Sequence, residues 1–214
     1  MTGAELIAEC RRRLRDTEAP QLWTDEDIIG YLAKAEEIMA EQAHVLHDYT
    51  TYTVTTADGV STYALSPDVL SVIVAQESTS TTPLRRLTAP YRTLYTSATS
   101  PPSKYAVVGV QPPNFILTPA ADGIYTIYLA AAIRPTTALV AEADPEIPAT
   151  YHRALVDYAV SQCQSHADTE GFAPEQAQLA EAAWLQALRE AKREVYRVQY
   201  SANTIAGSPS WTGK

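Results

Sequence analysis

The apolar residues of this chain change their spacing twice. Near both ends they recur every three or four residues, and between them they fall in short β-branched and aromatic runs. A side-chain period of 3.6 belongs to a helix and a period of 2 to a strand, and one pattern does not serve for the other. The chain must therefore build helices from its two ends and strands from its middle.

Leu6, Ile7, Cys10 and Leu14 form one helical stripe within Ala4–Arg15. Pro20 marks a break, and Thr24 followed by Asp25, Glu26 and Asp27 predicts the start of a second helix. The hydroxyl accepts a free backbone N–H, and the carboxylates face the positive end of the helix dipole. Trp23 and Ile28 occupy the positions of a hydrophobic staple, and the stripe Ile28, Leu32, Ala35, Met39, Ala43, Leu46 carries the helix to about His47.

Strands are expected over Thr51–Thr56, Ser61–Leu65, Val69–Ala75, Leu84–Leu87, Lys104–Val110, Asn114–Thr118 and Ile124–Ile133, with a short helical turn over Tyr91–Ser97. Asp58-Gly59, Pro112-Pro113 and Asp122-Gly123 supply the turns. Arg134–Pro148 reads as a loop in which Asp144 and Glu146 are solvated. A third helix over about Ala149–Ala167 buries Tyr151, Leu155, Tyr158, Ala159 and Gln162 or Cys163. The fourth begins near Pro174, with Ala177, Ala180, Trp184, Leu188, Ala191 and Val195 facing inward.

The expected fold class is α+β. Residues 1–48 and 149–200 form a four-helix bundle from the two chain ends, because their stripes must pair to be buried. Residues 49–148 form an inserted antiparallel sandwich or barrel-like subdomain with its connecting loop, and 201–214 an extended C-terminal arm.

The net charge is −9, and residues 1–48 hold 11 acidic against 5 basic side chains. Such a chain is a poor candidate for gripping DNA phosphates. No apolar run reaches the 18 residues of a membrane span. Met1–Leu14 carries Glu5 and Glu9 and lacks the apolar block of a secretion signal. Cys10 and Cys163 are two thiols far apart in sequence, which suits buried cysteines rather than a disulfide framework. Thirteen Tyr against two Phe suit half-exposed surfaces and subunit interfaces.

Reactive motifs are not found. There is no Gly-Lys-Ser/Thr, no Gly-x-Ser-x-Gly and no His-Glu-x-x-His, and neither cysteine has a partner at Cys-x-x-Cys spacing. No catalytic residue, cofactor site or metal site is expected. His44 and His47, three apart near a helix end, would share a face, but no third ligand accompanies them. Asp25, Glu26 and Asp27 are explained by capping. Arg11, Arg12, Arg13 and Arg15 are the basic cluster. They point around the helix, which disfavours a phosphate or acidic-partner contact, and read either as a solvated helix end or as subunit-interface residues.

The segments from Glu5-Leu6-Ile7 to Arg12-Arg13-Leu14-Arg15-Asp16, Leu22-Trp23-Thr24-Asp25-Glu26-Asp27-Ile28-Ile29, and Tyr31-Leu32-x-x-Ala35-Glu36 resemble the first helices of bacteriophage head-to-tail adaptor proteins. Pro101-Pro102-Ser103-Lys104-Tyr105 and Phe115-Ile116-Leu117-Thr118-Pro119 look like the β region of that family. Ile133-Arg134-Pro135 and the segment from Pro145-Glu146-Ile147-Pro148 to Tyr158-Ala159 look like its return into the third helix. The resemblance spans about residues 4–195 and includes tail tubular protein A-like adaptors.

It implies a structural virion protein and not an enzyme. Such a protein would form a ring, commonly of twelve copies, below the portal, and would link the DNA-filled capsid to the tail. Its partners would be its own copies, the portal protein and tail or nozzle proteins, with genome DNA passing through unheld and no membrane involved. Its place would be the virion neck, and the host cytoplasm during assembly. By the same analogy the C-terminal segment reaches the portal, with Tyr200, Ile205 and Trp211 as its contacts. Two alternatives are a neck or tail-completion protein binding the tail side only, and a ligand-binding β module.

Overall fold

The computed structural model describes residues 1–87, 101–109, 112–166 and 173–206, with residues 198–206 described by backbone alone. The chain divides into two units, Met1–Val45 with Pro135–Lys214 and Leu46–Arg134. Among the described residues four α-helices and two sheets make it a mixed α+β protein.

In the first unit α1 is Gly3–Leu14, α2 Asp25–Ala43, α3 His152–Ser165 and α4 Pro174–Ala206. Each of the first two starts on a capping box. Thr2 and Glu5 exchange hydrogen bonds at α1, and Thr24 and Asp27 do so at α2. Trp23 and Ile28 are both buried at the second of these. The four stripes meet in one core containing Leu6, Cys10, Leu32, Met39, Leu155, Cys163, Trp184 and Leu188. Tyr158 and Trp184 pack ring to ring at 5.2 Å. Burying each large apolar side chain contributes about 1.5–3 kcal/mol.

Three helix boundaries differ from the sequence reading. α2 stops at Ala43, where His44 takes a left-handed conformation (φ 55°) and donates its N–H to Ala40 O. His47 then belongs to a strand, so His44 and His47 do not share a helix face. Ala149–Tyr151 is a turn of 3₁₀ helix ahead of α3. The segment expected to be extended from Ser201 continues α4 as helix through Ala206. Residues 207–214, with Trp211, lie outside the described residues, as does the turn expected over Tyr91–Ser97.

The second unit holds β1 His47–Asp48, β2 Thr53–Thr55, β3 Thr62–Ala64, β4 Val69–Glu77, β5 Arg85–Arg86, β6 Lys104–Val108, β7 Asn114–Thr118 and β8 Thr126–Ile133. One sheet is centred on β8, which pairs antiparallel with β1, β2 and β4. The other runs β3-β7-β6-β5. It is mixed and not purely antiparallel, because β5 lies parallel to β6. Inward residues of both sheets share a core that includes Val72, Ala75, Ile127 and Leu129 with Tyr105, Phe115 and Leu117. The Tyr105 and Phe115 rings stack at 5.3 Å, and the Tyr105 hydroxyl donates to Ile73 O at 3.2 Å. Gly59 turns the chain at φ 73°, a conformation glycine adopts without a Cβ clash.

Candidate assembly surfaces

The arginine cluster is not one site. Arg11 is buried, and its guanidinium is used inside the unit. It donates to Asp25 Oδ1, to Asp16 Oδ2 at 3.0 Å and to Trp23 O at 2.9 Å. Asp16 in turn accepts the Leu22 N–H at 2.8 Å and the Trp23 N–H at 3.1 Å. Together they fasten the α1–α2 loop. Arg13 is half-buried between Glu9 and Asp157, bonded to both. Arg12 is exposed and pairs with Glu9, holding that carboxyl below the usual carboxylate range. An exposed i,i+3 pair of this kind contributes little stability. Arg15 is exposed in the left-handed region (φ 59°) and caps α1 with its N–H to Arg11 O and Arg12 O. The four side chains are thus separated by their partners, and Arg12 and Arg15 are the two that reach solvent.

Burial governs both thiols. It pushes Cys10 and Cys163 up to about 12, each also feeling nearby negative groups. Protonated thiols in an apolar core are poor nucleophiles.

The loop between Pro135 and α3 carries features that no local pattern announces. Glu146, expected to be solvated, accepts the Thr137 N–H at 2.7 Å and the Thr136 N–H at 3.1 Å. Burial alone would raise its carboxyl, but these bonds outweigh it and hold it below the ordinary value. Glu36 on α2 is 2% exposed, and its Oε1 accepts the backbone N–H groups of Glu146 and Ile147. Burial pushes its carboxyl up, and the two N–H bonds only partly oppose this. The start of α1 closes the same loop, with Gly3 N–H donating to Ala143 O at 2.8 Å and Ala4 N–H to Ala141 O at 2.7 Å. These bonds satisfy helix N-terminal donors that a helix cannot pair internally.

The outer surface of α4 was not singled out from the sequence. Its first half exposes Leu179, at 72% of its possible area, with Ala182 and Ala183. Its second half exposes Arg189, Lys192, Arg193, Tyr196 and Arg197 together with Glu190 and Glu194, so it is basic on balance. A shallow crevice between α3 and α4 is lined by Ser161, Gln162, Ser165, Gln178 and Glu181. Among the described residues no group of three or more His, Cys, Asp or Glu could hold a metal ion, and no helix is long and apolar enough to cross a membrane. Tyr200 and Ile205 lie on the backbone of the last turns of α4.

A family model described as SU10 adaptor protein matches residues 1–209 of the chain. No curated protein matches it.

Proposed function

The chain belongs to the SU10 adaptor protein family of phage head-to-tail adaptors, and we propose that it forms a ring of identical subunits, twelve in number, which joins the portal to the tail. It is a structural component of the virion. The observation that carries the reading is the family match over residues 1–209, which takes in both helical ends and the strands between them.

Within this reading the helical unit, Met1–Val45 with Pro135–Lys214, carries a four-helix bundle that builds the ring, and the unit Leu46–Arg134 is a β sandwich that faces outward or toward tail or nozzle proteins. Residues 201–214 are the portal arm, with Tyr200, Ile205 and Trp211 as contacts. α4 supplies the root of that arm as helix to Ala206. Arg12 and Arg15 are the members of the arginine cluster exposed for subunit contacts, while Arg11 and Arg13 are engaged by acids and a backbone carbonyl within the subunit. A chain of net charge −9 lets DNA pass along a lumen without trapping it. Assembly takes place in the host cytoplasm.

Native mass spectrometry of the chain alone and mixed with the portal ring tests the proposal. A portal complex gaining a fixed multiple of 23.3 kDa is expected. Deleting residues 201–214 should abolish the gain. A chain that stays monomeric and ignores the portal overturns the reading in favour of a tail-side completion protein.

A further inference from the structure

Resting on the ring reading above, we propose that the outer face of α4 in one subunit docks on the outer ridge of α2 in the next copy, an apolar half against a dent and a basic half against acids.

The direction and level of the two helices come from within the subunit. Tyr31, early in α2, bonds His166 just beyond α3, while Gln176, early in α4, bonds Gln164 at the end of α3. At the other end Lys192 Nζ donates to Gln42 Oε1. α2 and α4 therefore run in the same direction, and the Lys192–Gln42 bond, between residues 150 apart in the chain, marks a common level towards their far end. A ring whose axis runs along these helices keeps each helix at its own height from copy to copy. Counted from the Lys192–Gln42 level, Arg189 and Arg193 stand near residues 39 and 43, and about one to three turns earlier Ala183 and Leu179 stand beside the first half of α2.

The two surfaces match at those levels. On α2 the residues Gly30, Ala33, Glu37 and Glu41 recur at spacings of three and four, one ridge of a helix. Gly30 is exposed, and a Cβ added there would meet nothing within 4 Å, so the ridge has a shallow gap in its upper half. Leu179, Ala182 and Ala183 face that gap, and small residues allow close helix approach. Lower down, Arg189 falls between Glu37 and Glu41, with Arg193 beyond. Among the described residues neither arginine has an ion-pair partner. Glu37 holds Lys34 at 2.6 Å in an exposed pair of small net strength, and Glu41 is also engaged within the subunit, so docking adds the arginines to acids that already have partners. The contact is heterologous, and charge complementarity sets its register.

Two double variants of the full chain test this: Arg189→Glu with Arg193→Glu, and Glu37→Arg with Glu41→Arg. Each alone places like charges across the contact and should weaken self-association by about 100-fold or more. An equimolar mixture restores opposite charges at every contact and should recover rings of alternating subunits, visible as the two masses in equal number. Recovery also shows that both variants fold. Rings formed by either double variant as readily as by the wild type overturn this interface and leave the ring reading standing. Rings retained with portal binding lost assign the α4 face to the portal and overturn the interface. A wild type that is monomeric both alone and on portal rings overturns the ring reading and the interface with it.

Discussion

Glu36 Oε1 accepts the backbone N–H of Glu146 at 2.6 Å, joining α2 to a loop 110 residues further along the chain. The loop is held at its other end by the carboxylate of Glu146 itself, through Thr136 and Thr137. Two carboxylates thus serve one loop, but their proton affinities move in opposite directions, upward at Glu36 and downward at Glu146.

For Glu36 the folded carboxyl binds its proton more tightly than the unfolded one. Its contribution is fully present below the ordinary glutamate value and is lost as pH rises through the raised folded value. Glu36→Gln removes the buried charge and keeps an acceptor. It should leave stability at pH 7 equal or higher and flatten the decline above the ordinary carboxylate range, measured by urea unfolding at several pH values. Glu36→Ala leaves two N–H groups without their acceptor and should cost about 3 kcal/mol. For Glu146 the sign reverses. Its contribution is present above the ordinary value and lost as pH falls through the lowered one, so Glu146→Gln should chiefly remove stability at neutral pH.

Gly3 should not tolerate a side chain. A Cβ built there would overlap Val140 O, a backbone atom that cannot step aside without moving the loop. Gly3→Ala ordinarily gains helix propensity of up to about 1 kcal/mol. Here it should instead lower stability by about 1–3 kcal/mol, seen as a drop in the thermal midpoint. A midpoint at or above that of the wild type would show that the loop gives way.

Arg11 and Arg15 are four residues apart and should respond with opposite signs. Arg11→Met takes the guanidinium from Asp16, Asp25 and Trp23 O, leaves Asp16 with the Leu22 and Trp23 N–H groups alone, and should cost about 1–3 kcal/mol. Arg15→Gly relieves a left-handed conformation at an exposed cap and should gain about 1 kcal/mol, or about 2–4 °C in the thermal midpoint for a chain of this size. Calorimetry of the two variants side by side checks both.

Cys10 and Cys163 should resist a thiol reagent at pH 8 in the native protein. Each is fully buried and pushed up to about 12. Both should react promptly in denaturant. Fast labelling of the native protein would mean that the core between α1 and α3 opens far more often than its packing suggests.

Much of the architecture could be read from local signals. Pro174 opens α4 and Asn114–Thr118 is β7, each as the residues suggest. Thr24 caps α2 because its hydroxyl and the nearby acids act within one turn. The misses share a physical cause, which is that distant partners decide them. His47 and Asp48 are extended because Ala132 and Ala131 of β8 pair with them, and the non-glycine residue His44 ends the helix without a sequence signal. β4 buries every third residue, not every second, because its register against β8 shifts twice. The family match extends to residue 209, yet the helix reaching Ala206 replaces an extended start to the arm. For the candidate surfaces, the arginine run was visible but its internal partners were not. Arg189 and Arg193 stand out only once α4 has a buried side and an outer one.

β8 is the last strand in chain order among the described residues, yet β1, β2 and β4 all pair with it. During synthesis the first of these leaves the ribosome roughly 80 residues before its partner, a wait of several seconds at about 5–20 residues per second. α1 and α2 wait longer still, since the core they share is completed by α3 and α4. A nascent chain of this protein therefore carries unpaired strands and two bare amphipathic helices until most of it has been made. Chains cut short before β8 should meet chaperones or aggregate, while those that finish can fold both units almost at once. Only a complete copy can then present itself to a growing particle.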